Sequence, residues 1–507
     1  MAKRLLSVLL IALMCASVML ISSCGDKDNV SSSAPAASGV SETEDDSQKL
    51  QIPEKNWGGQ KVTLLTFKNG KRNFSDTVIP DELTNEPIND AFYDRNALIE
   101  EKYGIKLELY PCEGVDEGLD ILQRDMDGGM QEIDIVSLPL TYMAQFGVDG
   151  ALYDYKALRD KNGYIHYESP WWDQAMVRDL DINNKLWFLA GDALVEDDEA
   201  TWAIYFNKDL VESYQLESPY QLVKDHKWTL DTMHELAKKV HFMNGSEMSF
   251  DPAVNDVWGL VCQSYDTYML MLGAGQPMID SSSDLPSFRV TEEENVRTFD
   301  KIMTIMNDSE NVGVADFFGR WDSGVYSQET SIFCNGNALF MPSSISSVSG
   351  TKMREAEIHY GILPMPMSST LQEDYTTSLN VYWAQVLSIP TSNVDNLDAT
   401  CYAMELMAYY GMQKVTPEYY SRTLQYKRFE DAESGEMLDL IFRNRTYDLA
   451  AIFDFGTVNG NGAGTLYFYS ALLGQKDSYN FASMWESKQS LFTEALNRLI
   501  ERVTEDE

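Results

Sequence analysis

Basic residues are scarce in this chain. Its 39 Lys and Arg stand against 79 Asp and Glu, a net charge of −40 over 507 residues. Nucleic-acid binding and docking on anionic lipid both need clustered cations, so neither is expected. Cysteine is scarce as well: six are present and none forms a CxxC, which excludes a zinc ribbon. Cys112, Cys262, Cys334 and Cys401 leave room for one or two disulfides or for buried thiols. The five histidines form no HExxH and no pair at metal-ligand spacing, so no metal site is expected. A GxSxG elbow, a Walker loop and a strand-borne GxGxxG are all missing. Asp125-Met-Asp127-Gly128 lacks the later ligands of a calcium loop. Gly460-Asn-Gly-Ala-Gly464 reads as a flexible turn, and Glu196-Asp-Asp-Glu199 as a solvated acidic face. No cofactor and no enzymatic activity are expected. Among so many acids a glycosidase pair has room to hide, so a surface glycosidase acting on oligosaccharides is the alternative.

What is present begins at the N-terminus. Lys3 and Arg4 precede an uncharged apolar run over 5–21, and small residues follow: the order of an export signal. The run also has the length of a short membrane span. It ends in Ile21-Ser22-Ser23-Cys24, which resembles the lipobox of bacterial lipoproteins. That resemblance implies a signal peptide over 1–23, a lipid on Cys24, and residence at the outer face of the bacterial cytoplasmic membrane. Residues 25–55 are rich in Ser, Ala, Asp and Glu and contain no aromatic residue. Such a stretch cannot bury enough apolar surface to offset its ordering entropy. Residues 24–57 therefore read as a disordered tether, with a reach of roughly 30 Å.

From 58 onward the pattern changes. Lys61-Val-Thr-Leu-Leu-Thr-Phe67 alternates like a strand, and 87–103 carries apolar residues at helical spacing before Gly104, a natural C-cap. A second strand follows at 105–110, a helix at 121–126 and a buried strand at 133–137. Strand, helix, strand, helix, strand is the rhythm of a parallel α/β sheet, whose ligands bind at the carboxyl ends of its strands. Further on, Trp202-Ala-Ile-Tyr-Phe-Asn207 reads as a strand, and a capped helix begins at Thr229. The 10 Trp, 27 Tyr and 21 Phe exceed what a core alone requires, and stacking ligand sites use such rings.

Several blocks together resemble the extracellular solute-binding proteins of bacterial ABC importers, the family of the maltodextrin-binding proteins. They are Trp202-Ala-Ile-Tyr-Phe-Asn-Lys-Asp209 with the Trp228-to-Val240 helix, Asp134-Ile-Val-Ser137 with Gly150-Ala-Leu-Tyr-Asp154, and Phe333-Cys-Asn-Gly-Asn-Ala-Leu-Phe-Met341. Tyr360-Gly-Ile-Leu-Pro-Met-Pro366 and Leu387-Ser-Ile-Pro390 complete the set, in the family's order. The chain departs from the pattern at Pro342-Ser-Ser-Ile, where the family often places a stacking tryptophan.

The resemblance implies a two-lobe α/β fold of the type II periplasmic-binding kind, with a ligand cleft between lobes. Lobe 1 would comprise 58–203 with 385–445, and lobe 2 would comprise 204–384 with 446–507. Crossings would fall near 202–206, 382–388 and 446–454. It implies a monomeric receptor that closes on a small solute, above all a carbohydrate, and hands it to ABC permease subunits. Strand ends and crossings then nominate the cleft. They are Thr141 and Tyr142 after the 134–137 strand, Asp192 after an apolar strand at 186–190, and Glu199 and Trp202 at the first crossing. Tyr265 and Asp266 follow the 259–262 strand, and Tyr382 and Trp383 open the second crossing. Trp171 and Trp172, beside Pro170, are expected to pack instead.

Overall fold

The computed structural model describes residues 49–67, 78–425, 432–457, 464–474 and 480–505. Cys24, the signal segment, most of the tether and residues 460–463 of the glycine-rich turn lie outside the described residues.

The strands run in chain order as β1 (Gln60–Phe67), β2 (Ile105–Cys112), β3 (Ile135–Pro139), β4 (Trp202–Asn207), β5 (Trp258–Cys262), β6 (Ile279–Asp280), β7 (Ser287–Phe288), β8 (Val312–Val314), β9 (Ala338–Ser344), β10 (Tyr360–Leu363) and β11 (Gln385–Ser388). They form two main sheets, ordered β11-β3-β1-β2 and β10-β4-β9-β5-β8, plus the small β6-β7 pair.

In the first sheet β1 runs parallel to β2 and β3, while β11 is antiparallel to β3. The helix Pro87–Tyr103 connects β1 to β2. It carries Pro87 in its first turn, where a missing N–H costs nothing, and stops at Gly104 with φ 62°. Glycine is required there twice over, because a Cβ would also stand 2.6 Å from the Asn56 side chain. The 29-residue helix Leu397–Gln425 packs on the Pro87–Tyr103 helix, burying Tyr402, Met404, Leu406 and Met407. The end of the expected tether differs from a free chain. Ile52 is buried, Trp57 sits edge-on to Tyr402 at 5.5 Å, and the Tyr402 hydroxyl bonds Pro53 O at 2.9 Å. Apolar Ile52 and Trp57 give that stretch the burial that the acidic residues before it lack.

In the second sheet β4 is antiparallel to both neighbours, β9 and β10, whereas β5, β8 and β9 run parallel. The helix Leu230–Lys238 begins at Thr229, whose hydroxyl caps Thr232 N at 3.2 Å, and buries Leu230, Met233, Leu236 and Ala237. Gly259 on β5 lets this helix approach; a Cβ there would lie 2.3 Å from Ala237 O. Trp228 anchors the region, with its indole N–H on Pro364 O at 2.9 Å.

Three chain segments join the two sheets and pair with one another. Trp202 N bonds Ser378 O and Asn380 N bonds Ala200 O, both at 2.9 Å, while Thr446 N bonds Thr377 O at 2.8 Å. The last helix, Phe481–Thr504, serves both halves. Phe481 packs against Phe299 at 4.7 Å on the second side, while Asn183 on the first side bonds Val503 O at 3.0 Å. The four cysteines of the described residues are free thiols.

Candidate functional site

Two of the paired segments, through Trp202, Asn380, Tyr382 and Trp383, line a cleft of about 730 Å³. Trp202 stands at the start of β4 and meets the Tyr265 ring edge-on at 5.5 Å. Tyr265 precedes the helix Asp266–Gly273, which follows β5, so both rings come from strand ends of the second sheet. The opposite edge is a turn. Trp383 N bonds Asn380 O at 2.9 Å and Tyr382 N bonds Asn380 Oδ1 at 3.0 Å. The first sheet holds that turn in place through Leu140 N on Ala384 O at 2.8 Å and Thr141 N on Val381 O at 3.2 Å.

Trp202, Tyr265, Tyr382 and Trp383 therefore share this one cleft. Tyr142 joins them through its ring, 5.8 Å from that of Tyr382, and Thr141 contributes its backbone to the turn. Asp266 lies behind the wall. It is fully buried, takes the Trp202 indole N–H at 2.7 Å, and takes Gln263 N at 2.7 Å. Burial pushes its carboxyl up to about 7.

Asp192 and Glu199 stand elsewhere. Residues 186–190 form no strand but a single antiparallel bridge, Leu189 to Leu387, and Asp192 after them lines a separate cavity of about 240 Å³. There it accepts a hydrogen bond from the Thr416 hydroxyl, and burial pushes it up to about 7. The same cavity holds a tight ionic cluster. Arg445 reaches Asp198 at 2.7 Å, Asp197 at 3.1 Å and also Asp173, whose side chain caps the helix after Trp172. Glu199 is buried in the short helix Glu196–Ala200. Trp171 and Trp172 are fully buried.

The sequence patterns missed the rest of the lining. Asp316 and Tyr467 come from short helical turns, which carry no periodic signal, and Tyr326 from the first turn of the helix Val325–Cys334. Gln263, Ser264 and Asn380 were legible only as neighbours of nominated residues. Ser343 stands in the stretch where the stacking tryptophan is missing, its hydroxyl 2.7 Å from that of Ser347. The cleft thus offers six aromatic rings among hydroxyls and amides, a surface suited to rings with C–H faces and polar rims. Among the described residues, no cluster of His, Cys, Asp and Glu could hold a metal ion. No described helix is long and apolar enough to cross a membrane.

No protein-family model matches the chain, and no curated protein sequence matches it. Solved structures do. A sugar transporter from Rhizobium etli, in an open conformation, superposes with a TM-score of 0.55 at 14% identity, covering 87% of this chain and 98% of its own. The GacH receptor of Streptomyces glaucescens, solved unliganded and with acarbose, gives 0.53 at 15% identity over 86% and 99%. Apo RafE from Streptococcus pneumoniae gives 0.52 at 13% identity over 88% and 100%. The fold is the two-lobe, type II periplasmic-binding-protein fold.

Proposed function

We propose that this chain is a solute-binding receptor that captures a carbohydrate, most simply an oligosaccharide, and delivers it to the permease of an ABC importer. The observation that carries this reading is the cleft itself. Six aromatic rings and a set of hydroxyl and amide side chains converge at the segments that join the two lobes. Sugars present C–H faces to rings and hydroxyls to amides, and a cleft at a junction can close by hinge bending. Neighbours of the same fold named for sugars, one of them solved with acarbose, support the choice of ligand class.

The lobes would divide at residues 203, 385 and 445, with the hinge in the paired segments. The receptor works as a monomer. Its signal over 1–23 is removed and a lipid on Cys24 holds it at the outer face of the membrane, so that 24–57 keeps the receptor beside its permease. In this reading it binds without chemistry; Asp316 accepts hydrogen bonds from Ser264 N at 2.7 Å and from the Tyr326 hydroxyl at 2.9 Å.

A thermal-unfolding screen of the mature protein against a saccharide library tests the reading. A ligand at 100 times its dissociation constant should stabilise by about 2.7 kcal/mol and be recovered intact. Shortened oligosaccharides in excess of protein would establish the glycosidase instead, and no saturable saccharide would refute both.

A further inference from the structure

Another cavity, of about 700 Å³, lies beside the cleft. Its polar lining is Asn255, Ser331, Asn335, Lys352, Glu355 and Glu357, and no aromatic ring contributes to it. Two helices carry the lining from the cleft into this outer cavity. On Val325–Cys334, Ser327 and Thr330 line the cleft, while Ser331 and Cys334 line the outer cavity. Positions i, i+3, i+4 and i+7 share one helix face, so these four residues form a single continuous edge. Ser327 is exposed and the other three are half-buried, so the edge is open along its length. On Thr351–Glu355, Thr351 and Met353 line the cleft and Glu355 lines the outer cavity.

Lys352 lines both cavities and marks their boundary. Its three N–H donors go to Ser327 O at 2.5 Å, Ser327 Oγ at 2.6 Å and Ser331 Oγ at 2.6 Å, one serine from each lining. The ammonium thus ties the two helices together where the cavities meet. Beyond it, the Asn335 side-chain amide is fixed by a hydrogen bond to Pro252 O at 3.1 Å. The helix Val325–Cys334 has 10 residues, so the edge runs for about 15 Å at 1.5 Å per residue.

We propose that the outer cavity extends the binding site and takes the outer sugar units of an oligosaccharide whose inner units lie among the rings of the cleft. This rests on the carbohydrate-receptor reading above. The two linings differ in what they offer. Rings in the cleft stack on C–H faces, whereas the carboxylates and amides past Lys352 pair with hydroxyls and give an apolar group nothing to pack on. A short saccharide engages the cleft alone. A longer one follows the serine edge past Lys352 and adds hydrogen bonds to Glu355 and Glu357.

Calorimetric titration of the mature protein tests this with gluco-, manno- and xylo-oligosaccharide ladders running from disaccharide to octasaccharide. In the ladder that binds, the octasaccharide should bind about tenfold or more tightly than the tetrasaccharide, the scale of one hydrogen bond to a charged group. The double variant Glu355→Ala, Glu357→Ala should remove that gain and leave the affinity for the disaccharide and trisaccharide unchanged. Both residues are exposed, so the variant keeps its fold. Equal wild-type affinity for tetrasaccharide and octasaccharide overturns the inference while leaving the carbohydrate receptor standing. So does a double variant that keeps the gain with length, or one that loses affinity for every length alike. Absence of saturable binding by every saccharide overturns both.

Discussion

The indole N–H of Trp202 is held by Asp266 Oδ1 at 2.7 Å, so the ring at the start of β4 is oriented by a carboxyl buried at the start of the helix Asp266–Gly273. Asp266→Ala leaves two buried donors, the indole and Gln263 N, without acceptors. Each such loss costs about 1–3 kcal/mol, so the variant should lose stability in chemical denaturation and bind its saccharide more weakly. Unchanged stability would show that the pair contributes nothing.

Arg445 ties the third joining segment to Asp197 and Asp198 beside the first, and to Asp173. Arg445→Met leaves those buried carboxylates uncompensated. Denaturation midpoints should fall by the equivalent of roughly 3–5 kcal/mol, the range for breaking a buried pair on one side.

Asp192 provides a pH test. Its folded pKa is raised to about 7, burial being the main cause, so the native state binds a proton that the unfolded chain has already lost. That group's contribution to stability therefore falls as pH rises from about 4 to 7 and stays low above it. Asp192→Asn keeps an oxygen for Thr416 and removes the titration. It should match wild type near pH 4 and exceed it at pH 8 by about 1–3 kcal/mol, measured by urea unfolding at both pH values.

Saccharide binding separates the two cavities. Trp383→Ala should weaken it by about 2 kcal/mol with the fold intact, as for a central aromatic contact. Asp192→Asn should leave it unchanged, because Asp192 lines the smaller cavity. The reverse pattern would move the binding site to the Arg445 cluster.

Cys24→Ala tests the anchor. In the cell of origin the wild-type protein should sediment with membranes, and the variant should appear in the soluble fraction or keep its signal. Wild-type protein found wholly soluble would exclude lipid attachment.

Local chemistry determined much of this molecule. Pro87 and Gly104 bound their helix because φ restraint and αL tolerance act within a turn, and Thr229 caps its helix through a side chain three residues from its partner. β1 declared itself by alternation and β4, buried at every position, by its run of apolar and aromatic residues, since both are signals within a single strand. The site was decided otherwise. Tyr265 and Asp266 are adjacent in sequence, yet one lines the cleft and the other lies behind Trp202, because the helix start turns successive side chains in different directions. Asp192 left the expected cleft for a cavity completed by Arg445. Asp316 and Tyr467 arrive from turns without periodicity, and Tyr326 from the first turn of a separate helix. Which side chains meet at a junction depends on how two sheets and three joining segments pack, a long-range property that no local window contains.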